Sequence, residues 1–181
     1  MHRAIIFVLF LGLALTVTAG RSQSQPTAAL KIFLNEVQPG SMSAPQYCTL
    51  VFSDHRFHTE KADIHGGRVS KRKIYEGQLS DTDWNTLTAI IDSTSFRQLK
   101  VPGTVPPPVM QDSHPYAISV AREDGFQNIE FLDNRSLKPY ESQVKPLLIW
   151  WKSLRGRHTP ESNSPPDTKC ALDSSHAIFS Q

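Results

Sequence analysis

Charge of one sign, long apolar runs and catalytic signatures are all scarce in this chain, and each scarcity excludes something. The net charge is only +2, so no strong field for a polyanion such as nucleic acid is implied. Apart from one stretch at the start, no segment is apolar enough to cross a membrane, which excludes a multi-span membrane protein. The composition, with 9 Gly and 13 Pro, fits neither a collagen-like fibre nor a long coiled coil. No Gly-x-Ser-x-Gly elbow and no His-Glu-x-x-His helix signature occurs. What remains is a chain of 181 residues, long enough for one domain and short for two.

The exception among apolar runs is informative. His2 and Arg3 give a short basic start, Ala4 to Leu15 is apolar, and Val17-Thr18-Ala19 precedes Gly20. Small or β-branched residues at these positions suit signal peptidase, so residues 1–19 read as a cleaved export signal. As a membrane anchor the run falls short of the roughly 18 residues that a span requires. No cysteine lies near the cleavage point, which argues against a lipid anchor. The expected product is periplasmic or extracellular, with no span in the mature chain. Both cysteines, Cys48 and Cys170, are retained. An oxidising compartment permits them to pair, and a buried free thiol at Cys48 is the alternative.

Residues 20–29 read as a loose leader. Ile32 to Leu34 is a short strand candidate. Tyr47 to Ser53 alternates, with Cys48, Leu50 and Phe52 on one face and Tyr47, Thr49 and Val51 on the other. A turn at Ser53-Asp54-His55-Arg56, a returning strand from Phe57 to Ala62, a turn at His65-Gly66-Gly67-Arg68 and an extended stretch from Val69 to Gln78 complete a meander. Ser80 is a fitting N-cap, with Asp81 and Asp83 in the first turn of a helix. Trp84, Leu87, Ile90, Ile91 and Thr94 form its stripe, and Phe96 and Leu99 pack beyond it. Val101 to Pro115 holds five prolines and reads as an extended loop. A hairpin centred on Asp124-Gly125 follows, between strands that include Tyr116, Ile118, Val120, Ile129 and Phe131. The last helix runs from about Ser142 to Arg155, with Pro146 required in its first turn. Residues 157–181 are rich in Pro and Ser and read as disordered. The predicted architecture is a two-layer α+β domain over residues 30–156. An antiparallel sheet of about five strands carries two helices on one face, in the order β-β-β-α-β-β-α.

Candidate chemistry is sparse. Asp54, His55, His58, Glu60, Asp63 and His65 are all metal-capable. In a strand, however, residues three apart point to opposite faces, so His55 and His58 do not share an ion, and no metal site is assigned. His55 sits at a turn where a left-handed conformation is tolerated. Cys48, mid-strand beside Leu50 and Phe52, reads as core rather than nucleophile. The basic run Arg68, Lys71, Arg72 and Lys73 reads as a solvated strand whose charges discourage edge pairing, with an anionic surface as the alternative ligand. On the last helix Val144, Leu147, Leu148, Trp151 and Leu154 make the core stripe. Ile149 lies opposite and Trp150 at the flank, which marks these two as a candidate partner surface. Asn134-Arg135-Ser136 matches the glycosylation acceptor pattern.

Taken together, Ile32-x-Leu34, Tyr47 to Phe52 before Ser53-Asp54, Phe57-His58-x-Glu60, Tyr75-x-Gly77, a helix, Asp112-x-x-Pro115 and a late hairpin and helix resemble small exported bacterial domains of unknown function. The likeness covers residues 30–155. Some of those domains carry Cys-x-Gly-x-Cys-Pro before the first long strand; here the stretch reads Pro39-Gly40-Ser41-Met42 and then Ala44-Pro45-Gln46. The resemblance implies an exported α+β domain and assigns no activity or catalytic residue. The expectation is a non-catalytic domain binding a protein or envelope component, with no cofactor. A hydrolase using the His55–His65 hairpin or Cys48, and a structural envelope protein, are the alternatives.

Overall fold

The computed structural model describes residues 28–38, 43–65, 68–101, 115–157, 161–162 and 170. The expected signal sequence and most of the proline-rich loop lie outside these residues. The chain forms strands β1 (Leu30–Val37), β2 (Ser43–Phe52), β3 (Arg56–His65) and β4 (Arg68–Gln78), then helices α1 (Asp81–Ile91) and α2 (Thr94–Arg97). Strands β5 (Tyr116–Arg122) and β6 (Gly125–Phe131) follow, then α3 (Asn134–Leu137), a 3-10 turn over Lys138–Tyr140 and α4 (Glu141–Arg155). All strand pairs are antiparallel, and the six strands lie in the order β4-β3-β2-β1-β5-β6. The α+β class is as expected; among the described residues the strand count is six rather than about five.

The strand that the sequence understates is β1. Its apolar alternation stops at Asn35 and Glu36, so only Ile32 to Leu34 looks extended. Both polar residues are nonetheless buried, and β1 is central, paired on one edge with β2 and on the other with β5. A buried glutamate is tolerable when paired, and Arg155 of α4 reaches the Glu36 carboxylate.

Register sorts the side chains onto two faces. Ile32, Leu34, Val51, Ile118, Val120, Ile129 and Phe131 face the helices. There they form the main core with Leu87, Ile91, Phe96, Val144, Leu147, Trp150, Trp151 and Leu154. The other face carries a small second cluster of Cys48, Leu50, Ala62 and Cys170.

Helix ends follow their caps. Ser80 accepts a hydrogen bond from Asp83 N, as expected, but α1 stops at Ile91. Ser93 then caps α2, so Thr94 opens a new helix instead of ending the first stripe, and α2 buries Phe96. Arg122 closes this junction by donating to Ile91 O at 2.8 Å and to Asp92 Oδ1 at 3.0 Å. In the late hairpin Arg122 pairs with Gly125, which places Glu123 and Asp124 at the turn centre. Neither has positive φ, while Gly125 has φ +127°; a type I′ turn on Asp124-Gly125 is thereby excluded. In α4, Pro146 lies inside the helix rather than in its first turn, because α4 starts at Glu141 behind the 3-10 turn. Pro146 and Ser142 are both exposed, so water can take the carbonyl that the missing N–H leaves. Ser136 belongs to a capping box with Asp133.

Candidate functional site

Two places concentrate functional groups, one on each face of the sheet. The first is a recess on the helix side, of about 180 Å³, bounded by β2, β3, β4 and the end of α4. Register explains its floor. Tyr47 pairs with Lys61, Thr49 with Thr59 and Val51 with Phe57, while Thr59 pairs with Tyr75 and Phe57 with Gly77. Gly77 matters here: a Cβ at that position would stand 2.8 Å from Phe57 Cε1, so the glycine makes room for the ring that walls the recess. Leu154 and Arg155 supply the wall from the helix.

Arg155 is the organising residue. Its guanidinium carbon lies 4.3 Å from the Tyr47 ring centroid and 4.4 Å from that of Trp151, and its charge meets Glu36. Stacking and pairing together hold a largely buried guanidinium in place. Trp151 is itself anchored by donating from Nε1 to Thr49 Oγ1 at 2.8 Å. Burial, followed by the neighbouring Glu36 carboxylate, pushes the Tyr116 hydroxyl well above the usual phenol range. Lys61 differs from Arg155. Among the described residues it forms no ion pair, and its ammonium stands 5.8 Å from the Tyr47 ring centroid.

The second place lies on the opposite face. Cys48 and Cys170 form a disulfide, with Cα atoms 5.7 Å apart. Beside it, His58 Nε2 is 3.0 Å from Glu60 Oε1, and Nδ1 is 3.0 Å from Glu76 Oε1. Arg72 stands 3.6 Å from Glu60 Oε2, and the Ser162 hydroxyl donates to Glu76 Oε2 at 2.7 Å. Glu60 is fully buried and His58 is 6% exposed. Burial disfavours a charged imidazole, but hydrogen bonds to Glu60 and Glu76 outweigh it and raise the His58 pKa. With carboxylates on both ring nitrogens, the imidazolium form satisfies both contacts.

The tail that composition reads as disordered contributes to this face. Glu161 bridges Tyr75 on the outer edge of β4, Ser162 N donates to Ile74 O at 2.7 Å, and Lys73 pairs with Glu161. Cys170 is buried and tied to Cys48 by the disulfide. Composition sees neither a covalent tie nor an open strand edge, and these two features position the described residues of the tail. The basic run does lie on edge strand β4, but Lys73 and Arg72 have acidic neighbours there.

The predicted partner pair separates. Ile149 is 60% exposed, whereas Trp150 is 5% exposed and joins the core. Helix α4 packs against α1 and α2 as well as the sheet, so its buried arc is wider than the five-residue stripe. Trp150 lies on the added flank, while Leu148 at the other edge is only partly buried. The histidines of the hairpin also separate. His55, with φ 69° as its turn demands, stacks on Trp84 with centroids 4.3 Å apart. His58 faces the disulfide instead. The Cys48 sulfur is bonded to Cys170 and is no nucleophile in this state. Sequence reasoning missed Glu36, Lys61, Tyr75 and Arg155. The alternation that places Tyr47 and Thr49 on one face was the available signal for the recess floor. Comparison with protein-family models and with curated protein sequences finds no match.

Proposed function

We propose that this chain is an exported, non-catalytic domain that binds a protein or envelope component, and that the recess under the end of α4 is where the partner docks. The observation that carries this reading is the pairing of an aromatic wall, Tyr47, Phe57 and Tyr75, with Lys61, whose charge no acidic side chain among the described residues neutralises. An ammonium beside aromatic rings favours an anionic group that brings some apolar surface. About 180 Å³ holds a side chain, not a large ligand, so the partner is an acidic side chain presented by a protein segment. The disulfide supports export, since such bonds persist in oxidising compartments. No helix among the described residues is long and apolar enough to cross a membrane.

The test is co-purification from the native envelope with wild type and Lys61→Glu, alongside titration with a glutamate-containing peptide followed by chemical shifts. The expected result is loss of the partner in the variant, with peptide-induced shifts at Tyr47, Lys61 and Tyr75. Partner capture that Lys61→Glu leaves unchanged, with the fold intact, would move the docking place elsewhere.

A further inference from the structure

The disulfide does more than staple the tail, because of what surrounds it. One ligand atom each of His58, Glu60 and Cys170 lies within 4.8 Å of the others, and all three residues are buried. The separation of 3.0 Å between His58 Nε2 and Glu60 Oε1 is close to the edge of a tetrahedron with bonds of about 2.0–2.1 Å. Cys48 Sγ is bonded to Cys170 Sγ, so a second sulfur adjoins the same group. From this geometry we infer that breaking the Cys48–Cys170 bond converts the cluster into a binding site for a borderline divalent cation such as Zn²⁺, held by Cys170, His58, Glu60 and Cys48.

The chemistry balances with a dithiol as reductant. The S–S bond takes two electrons and two protons, giving two cysteine thiols, while the dithiol becomes a cyclic disulfide. Metal binding then releases the thiol protons and the proton on His58 Nε2. The cation takes the place between Nε2 and Oε1 that this proton holds in the oxidised form. The surroundings suit the exchange. Glu76 at Nδ1 supplies the carboxylate that orients a ligating histidine. Arg72 near Glu60 offsets the surplus negative charge of two thiolates and a carboxylate around a dication. One thiolate pair, one imidazole and one carboxylate form a donor set that zinc accepts. This inference is independent of the recess and of any partner.

The experiment uses the full mature chain and Co²⁺ as the spectroscopic probe, before and after reduction with dithiothreitol and removal of the excess. The reduced protein should take up one Co²⁺ per chain, with thiolate-to-cobalt charge transfer and the visible bands of a tetrahedral site, and the oxidised protein none. His58→Gln and Glu60→Gln should each weaken uptake by roughly tenfold or more, while their oxidised forms keep wild-type circular dichroism. Should reduction unfold the chain, Zn²⁺ must restore the dichroism, because binding and folding are then coupled. A reduced chain that neither binds Co²⁺ nor refolds with Zn²⁺ would overturn the inference. So would uptake indifferent to both substitutions, since that marks two thiols acting without the cluster.

Discussion

The two faces of this sheet solve the burial problem differently. The helix side uses area: a continuous apolar core from both arms of the sheet meets α1, α2 and α4. The other side has, among the described residues, four buried ones at its centre, and around them stand His58, Glu60 and Glu76 held by pairing. A disulfide closing a loop of 122 residues supplies there what apolar area does not. In the chain-entropy model such a loop is worth about 5 kcal/mol at most. The contrast teaches that a face short of apolar surface can be sealed by one covalent tie and a satisfied polar cluster.

The largest effects are expected on the helix side. Trp151→Ala removes a fully buried ring and its bond to Thr49, and should cost about 3–5 kcal/mol in urea denaturation. Trp150→Ala should fall in the same range, because Trp150 is core. A loss below about 1 kcal/mol for Trp150 would return it to the surface. Next comes the disulfide. Replacing both Cys48 and Cys170 by Ala should cost about 2–5 kcal/mol and leave a folded domain. Complete unfolding at room temperature would show that the second face is no subsidiary structure.

Opposite pH responses sharpen the comparison further. Near the helix side, the Arg157 guanidinium holds Asp83 down at about 2. A lowered carboxyl stabilises the fold above its unfolded value near 3.8 and loses that contribution as pH falls through about 2. With Arg157 partly in water, this should amount to about 1–2 kcal/mol, and Arg157→Ala should flatten the dependence between pH 4 and 2. On the far side His58 is raised above 6.5. Its contribution is therefore complete below that pH and fades as pH rises through the folded value, which imidazole proton shifts can follow. The smallest effect is Ile149→Ser, expected to change stability by about 0.5 kcal/mol or less, since Ile149 touches water.

Much of the fold was legible along the chain. Alternation from Tyr47 to Phe52 gave both faces of β2, Ser80 announced α1, and Gly156 ended α4. Glu36 hid β1, because a buried carboxylate looks like a surface residue until its arginine, distant in sequence, is seen. Trp150 was misplaced because a stripe computed for a helix on a sheet omits the neighbouring helices. Of the recess only Tyr47 was visible, in one strand face; of the second site, Cys48 and Cys170 stood out as a possible pair and His58 and Glu60 as members of a run of metal-capable residues.

By itself the sequence determined the later strands of the meander, the Ser80 cap that starts α1 and which residues share a strand face, because those depend on neighbours within a turn or two of backbone. The tertiary structure alone decided that Lys61, Tyr75 and Arg155 line one recess, and that Cys170 arrives beside His58 and Glu60. Such meetings depend on the register of strands and on where a distant segment crosses the sheet. Local periodicity carries no term for either.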